Sequence, residues 1–323
     1  MAGQRSGRSG RLELDLGVIF LLGPTAVGKS RLAMTLAVQT GAEIASVDAF
    51  QVYRGLDVGT GKANKQEQAT VRHHLIDLVE AEQDFSSADY GSEARRVLAD
   101  LEERKAASIW VGGTGLYHRV MTQGLSKAPG TDRAVAENLE KKTTEELAET
   151  VLKIDPVWAE KADLQNRRRV VRALAVWEQT ERKMSEWQKQ DSGQGLMAEV
   201  EAWCLVPPIK LLGEVIRKRV EGMLGGGWIE EVKGLMGRPG WEGCSGSRAI
   251  GYGELAELIR GKIGREEVCD KIVSATRAYA KRQLTWFRGI PKVRVIEIDP
   301  REPLPKAGVE MLVRALEVGA IPK

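Results

Sequence analysis

Through the first third of the chain, short unbroken apolar runs alternate with longer stretches in which apolar residues recur every three or four positions. VIFLL at 18–22, AEIASVD at 42–48 and SIWVGG at 108–113 read as buried strands. Runs of that length without polar alternation suit a sheet covered on both faces. Between them, KSRLAMTLAVQTG at 29–41 and SADYGSEARRVLADLEERKA at 87–106 have helical spacing. Gly41 supplies a helix stop before the second strand. Strand and helix in alternation predict a parallel sheet with helices on both faces.

The pattern changes after Leu125. SKAPGTD at 126–132 is a loop, and from there to about Gly195 the chain reads as helix throughout, carried by ELAETVLKIDPVWAEKA and NRRRVVRALAVWEQTERKMSEWQ. AWCLVPP at 202–208 reads as another strand, stopped by two prolines, and helical stretches follow at 211–236, 252–261 and 265–289. The expected organisation is an α/β core over 16–126 and 200–295, interrupted by a helical insertion at 127–199. A disordered basic tail (1–15) and a C-terminal extension (296–323) complete it. There is no internal repeat.

Composition mainly excludes. With 323 residues, 42% of them hydrophobic and 29% charged, the chain has an ordinary globular balance. A net charge of +3 means that any nucleic-acid signal must come from local clusters. Cys204, Cys244 and Cys269 lie far apart, and His73, His74 and His118 do not complete a zinc pattern with them. The cysteines read as reduced residues of a reducing compartment. No apolar run is long enough to span a bilayer, so no membrane association is expected. The opening MAGQRSGRSGR lacks the apolar segment of a secretory signal, and the expected location is the cytoplasm.

GPTAVGKS carries the first chemistry. Gly23, Pro24, Thr25, Ala26, Val27, Gly28, Lys29 and Ser30 fit the phosphate-cradling pattern G-x-x-x-x-G-K-[ST] between a strand and a helix. Backbone N–H groups and the helix N-terminus make an anion site, Lys29 adds a full charge, and Ser30 can ligate Mg2+. Phosphate-hydrolysing relatives of this loop carry an acid at the end of a later strand, yet SIWVGG runs into Gly112, Gly113, Thr114 and Gly115 without one. The acid instead follows the second strand, as Asp48. There it suits proton removal from an acceptor, and group transfer better than motor-type hydrolysis; a turn or helix-cap role is the alternative for Asp48.

Two basic clusters follow. Arg167, Arg168, Arg169 and Arg172 open a helix of the insertion. Residues 271–296 contain no acid but offer Lys271, Arg277, Lys281, Arg282, Arg288, Lys292 and Arg294, with Trp286 and Phe287 among them. Such stripes suit a nucleic-acid backbone, and a solvated face paired with distant acids is the alternative. Arg248, in a Gly/Ser-rich loop, is suited to reach a leaving group. Trp158, Trp177, Trp187, Trp203, Trp228 and Trp241 read as packing residues, and His73–His74 as a hydrogen-bonded pair near a strand.

In order along the chain, GPTAVGKS, SVDAFQVYRGLDVGTGK, HHLID, VGGTGLY, RRRVVRALAVWE, SRAIGYGEL and AKRQLTWFR resemble the tRNA dimethylallyltransferases over roughly residues 18–290. The resemblance implies a P-loop core with an inserted helical domain. It also implies transfer of a dimethylallyl group from dimethylallyl diphosphate to N6 of adenosine 37, in tRNAs reading codons that begin with U. The family pattern assigns Asp48 as general base, Gly23 to Ser30 as the diphosphate loop, Thr114 near the reacting centre and Arg248 to the diphosphate. It assigns the tRNA anticodon stem-loop to Asp48, Ala49, Phe50 and Gln51, to Arg168, Arg169, Val170, Val171 and Arg172, and to Arg248, Ala249, Ile250, Gly251, Tyr252 and Gly253. Lys281 and Arg282 of the second basic cluster join these. A monomer without an obligate protein partner is implied.

The chain departs from that pattern at Ala49, where relatives carry serine, at Ala136, where they carry arginine, and at Gln165–Asn166, where they carry Asn-Asp. It has no Cys/His finger near its C-terminus. The alternatives are an adenylate isopentenyltransferase acting on free nucleotide, a P-loop small-molecule kinase, and a nonenzymatic RNA-binding module.

Overall fold

The computed structural model describes residues 17–189, 195–303 and 306–318. Its strands are β1 (Val18–Leu22), β2 (Glu43–Val47), β3 (His73–His74), β4 (Ser108–Gly112), β5 (Glu201–Val206) and β6 (Arg294–Glu297). They form one sheet in the order β3-β2-β4-β1-β5-β6, with every neighbouring pair parallel. Helices α1 (Lys29–Thr40), α2 (Lys65–Thr70), α3 (Ser87–Glu103) and α4 (Gly115–Gln123) belong to the first half. Residues 123–195 cluster as a compact unit of their own. It contains α5 (Arg133–Leu139), α6 (Thr144–Ile154), α7 (Pro156–Ala159), α8 (Arg167–Thr180) and α9 (Met184–Lys189). The core unit then continues with α10 (Ile209–Gly225), α11 (Trp228–Met236), α12 (Tyr252–Ile259), α13 (Arg265–Arg288) and α14 (Lys306–Val318).

The strand β1 shows why unbroken apolar runs are required. All five of its residues are buried. Ile19 and Leu21 join one hydrophobic cluster, with α1, α10, α12 and α14, while Val18, Phe20 and Leu22 join a second, with α3 and α4. Successive side chains alternate between faces, so a two-sided sheet asks for apolar residues at every position. The helical unit buries its own core, which includes Leu147, Val151, Val170 and Leu174.

The structure adds to the sequence expectation at two places. The edge strand β3 is only two residues long, and its His74 Nε2 lies 2.5 Å from Glu43 Oε2 of β2. The segment from residue 296, expected as an extension, falls in the core unit. β6 closes the sheet edge beside β5, and Leu312 and Leu316 of α14 are core residues packed with α1 and β1. β6 is exposed at three of its four positions, so its sequence carries no buried-strand pattern.

The arrangement has one consequence for function. The loop after β1, Asp48 after β2 and Thr114 after β4 all leave the carboxyl ends of three adjacent strands. In open parallel sheets, that edge is where ligands bind.

Candidate active site

The loop from Gly23 to Gly28 joins β1 to α1. Ala26 and Gly28 adopt positive φ, 68° and 86°. Left-handed residues among right-handed neighbours align successive N–H groups into an anion nest. Lys29 Nζ donates to the Pro24 carbonyl at 2.6 Å, folding its charge over the loop. A cavity of about 250 Å³ opens there, lined by Thr25 to Ser30 but not by Gly23 or Pro24, together with Asp48, Gly113, Arg219, Tyr279 and Gln283.

A second cavity, of about 240 Å³, shares Thr25, Asp48, Thr60, Arg219 and Tyr279 with the first. Its remaining walls are largely apolar: Ile216, Val220, Met223, Trp228, Ile250 and Ile272. A polar anion cleft therefore continues into a greasy chamber, with a carboxylate and a guanidinium at the junction. The Trp228 indole forms part of that chamber and packs close to Gly59 and Gly251. A β-carbon at either position would sit 2.1 and 2.2 Å from indole atoms.

Asp48 is held by its own turn, its Oδ1 accepting from the N–H groups of Phe50 (2.9 Å) and Gln51 (3.3 Å). The turn role and the cleft position coexist, because a carboxylate has lone pairs to spare. Thr114 lines neither cavity; its Oγ1 accepts from the Ala49 N–H at 3.0 Å and its own N–H bonds the Val47 carbonyl. It thereby ties the β4 turn to the β2 turn that carries Asp48.

The electrostatics favour an anion. Burial, then the charge of Arg219, push the Lys29 ammonium down to about 7, against the pull of Asp48 and Cys204. Arg219 is half-buried, and its loss of water lowers its guanidinium, while Asp48 pulls it back up. Burial and then Asp48 push the Tyr279 hydroxyl up to about 12, against hydrogen bonds to Thr114 and Gln283. Two cations crowded out of water around one carboxylate are a site lacking negative charge.

The structure separates some residues that the sequence reading groups together. Arg248 is exposed, donates to the Gly243 carbonyl at 3.3 Å and lines neither of these two cavities. Arg219 of α10, which the sequence reading does not single out, lines both. Nothing in EVIRKRVEGM distinguishes it from its basic neighbours until α10 packs against the cleft. Val170 and Val171 are 0% and 5% exposed, core residues of the helical unit, so their side chains cannot meet RNA. Arg167 and Arg172 are engaged within that unit, to the carbonyls of Glu140 and Lys142 and to the Thr131 hydroxyl, whereas Arg168 and Arg169 are exposed. Ala249 and Ile250 line the apolar chamber, and Tyr252 is buried with its hydroxyl on Glu231.

Of the second basic cluster, Lys271 and Arg294 pair with Glu267 and Glu201. Lys281 and Arg282 are exposed with no carboxylate partner among the described residues, and Arg282 stands 5.8 Å over the Tyr279 ring. Two departures fall within this picture. Ala49 presents its N–H, not a side chain, to Thr114, and Ala136 packs into the helical unit's core.

A parallel α/β fold with a P-loop at the strands' carboxyl edge, opening into an apolar chamber beside a carboxylate, defines the chain as a P-loop protein. The family model described as IPP transferase matches residues 51–290. A tRNA dimethylallyltransferase from Geobacter metallireducens is 40% identical over 281 residues, covering 84% of this chain and 89% of the relative. The chain belongs to that family. Among solved structures, the full-length tRNA isopentenylpyrophosphate transferase of Bacillus halodurans superposes with a TM-score of 0.67 at 30% identity, covering 94% of this chain and 97% of its own. A eukaryotic dimethylallyltransferase acting on tRNA gives a TM-score of 0.73 at 25% identity, covering 87% and 73%.

Proposed function

We propose that the protein transfers the dimethylallyl group of dimethylallyl diphosphate to N6 of adenosine 37 in tRNAs that read codons beginning with U, releasing diphosphate. The observation that carries this is the continuity of the anion cleft with the apolar chamber, with Asp48 and Arg219 where they meet. In this reading the P-loop phosphate is neither hydrolysed nor passed on.

The allylic C1–O bond breaks as the bond from N6 to C1 forms, and the N6 proton goes to Asp48. An exocyclic amine is a poor nucleophile, so a carboxylate positioned to take its proton lowers the barrier. Negative charge grows on the departing diphosphate oxygen, where the loop N–H groups, Lys29 and Arg219 offset it. The apolar walls keep water from the allylic carbon.

The donors around the cleft suit Mg2+. Ser30 is exposed at the start of α1, Asp48 lines the same cavity, and the described residues hold no cluster of three or more His, Cys, Asp or Glu able to bind a metal. Few protein ligands, all of them oxygens and supplemented by substrate phosphates, are the habit of magnesium. When bound, the ion would neutralise phosphate charge and ease diphosphate departure. Arg168, Arg169, Arg248, Lys281 and Arg282 are exposed and could take tRNA phosphates, which would repay unstacking of the target base. No helix of the described residues is long and apolar enough to cross a membrane. We place the protein with its tRNA in the cytoplasm, which suits three free cysteines.

The test is transfer of label from dimethylallyl diphosphate, with magnesium, to an anticodon stem-loop carrying adenosines at 36 to 38. AMP and ATP serve as parallel acceptors and Asp48→Ala as the control. Label on the stem-loop alone, lost in the variant, is the expected result. Label on free nucleotide, or phosphate transfer from ATP with no prenyl transfer, overturns it.

A further inference from the structure

Helix α13 reaches the cleft with Tyr279 and Gln283, two polar side chains that the chemistry above does not use. Gln283 is 5% exposed, deep in a helix whose neighbouring Lys281 and Arg282 face solvent. Its Oε1 accepts the Thr25 N–H at 2.9 Å, and its Nε2 donates to the Gly113 carbonyl at 2.8 Å. Thr25 belongs to the P-loop and lines both cavities, while Gly113 precedes Thr114, the residue that ties down the turn of Asp48. One amide therefore clamps the phosphate loop to the turn that braces the carboxylate.

The fit is specific. A β-carbon on residue 113 would lie 2.1 Å from Gln283 Nε2, so glycine is what lets the amide approach that carbonyl. Positions 279, 283 and 286 share one face of α13. Tyr279 lines both cavities, and the Trp286 indole sits where a β-carbon on Gly115 would be, 2.3 Å from its Nε1. That face of α13 thus packs on the turns after β1 and β4, and Gln283 supplies the polar clamp between them.

We infer that Gln283 is a positioning residue of the transfer reaction, setting the P-loop and the Asp48 turn in register. The inference rests on the transferase reading for its catalytic consequence, but the geometry of the clamp does not. Only a group that accepts on one side and donates on the other can serve. Glutamine does so at every pH, and glutamate only when its carboxyl is protonated, since an ionised carboxylate has no donor for the Gly113 carbonyl. Burial and the facing carbonyl favour that protonated form.

The experiment uses the full chain with Gln283→Met, which keeps size and loses both bonds, and Gln283→Glu. In wild type and both variants, KM for dimethylallyl diphosphate, kcat, tRNA affinity and the affinity for inorganic diphosphate are measured from pH 5 to 8. The titrating or charged groups around the cleft that Gln283 lines are Lys29, Arg31, Asp48, Arg219, Tyr279 and Arg282; all are present in every protein, and Gln283→Met, which adds no ionisable group, gives their pH dependence alone. Gln283→Met is expected to raise KM for dimethylallyl diphosphate ~10-fold or more while leaving tRNA affinity within ~2-fold. The affinity for inorganic diphosphate of Gln283→Glu, relative to wild type, should climb toward one as the pH falls. A flat ratio, or a Met variant with unchanged diphosphate binding, overturns the inference. A wild type that prenylates no tRNA would overturn the transferase reading separately, because the same pattern is read in inorganic diphosphate affinity.

Discussion

Tyr252 donates its hydroxyl to Glu231 Oε1 at 2.6 Å, and the same carboxylate receives the backbone N–H groups of Asp57, Val58 and Gly59. One acid on α11 thus holds the loop that delivers Thr60 and Gly61 to the cleft. Lys62 pins the other end. Its buried ammonium meets Asp57 at 2.7 Å, Asp77 at 2.6 Å and the Tyr53 carbonyl at 2.7 Å. The Asp of HHLID and the Lys of VGTGK are therefore one structural device.

Replacing Glu231 by Gln turns one acceptor into a donor that faces donors. The expected cost is about 1–3 kcal/mol of stability, read as a lower urea midpoint at unchanged slope. A higher KM for dimethylallyl diphosphate should accompany it. A variant as stable as wild type would show that the carboxylate does not hold the loop.

Lys29, depressed to about 7, predicts proton uptake on ligand binding. A bound diphosphate raises that pKa, so above about pH 7 the complex holds more protons than the free protein. Affinity then falls as pH rises, by ~10-fold per unit at most. Calorimetry at pH 8 in buffers of different ionisation enthalpy should report uptake approaching one proton, and Lys29→Ala should abolish it. Equal heats in all buffers would contradict the depressed value.

The separation of Arg219 from Arg248 predicts opposite kinetic signatures. Arg219→Ala should lower kcat/KM for dimethylallyl diphosphate by ~10²–10³, with tRNA affinity little changed. Arg248→Ala should leave the diphosphate KM alone and weaken tRNA. If Arg248→Ala produced the diphosphate defect, the assignment drawn from the cleft would be wrong.

Lys281, exposed and without a carboxylate partner among the described residues, predicts a salt effect. Removing one phosphate contact lowers the slope of log affinity against log salt by about 1. Lys281→Ala should do this for the tRNA stem-loop without changing the affinity for inorganic diphosphate. An unchanged slope would remove Lys281 from the RNA surface.

Much of this was determined by the sequence alone, wherever the physical constraint is local. A two-sided strand needs consecutive apolar residues, so β1, β2, β4 and β5 are visible as runs. A phosphate loop needs its glycines, lysine and hydroxyl within eight positions, so GPTAVGKS announces itself, and Asp48 follows as the acid leaving the next strand. The short edge strands β3 and β6 carry no such signature, because an edge has fewer positions to bury.

Tertiary structure decided the rest. Arg219, Glu231, Tyr279 and Gln283 come from helices more than 170 residues beyond the loop they serve. Each resembles an ordinary residue of an amphipathic helix until packing sets its direction. The same packing sets Arg248 on the Gly243 carbonyl and turns Val170 and Val171 into core. Which charge is left without water and which amide meets a carbonyl are set by neighbours distant in sequence, and helical spacing encodes only which face a residue shares.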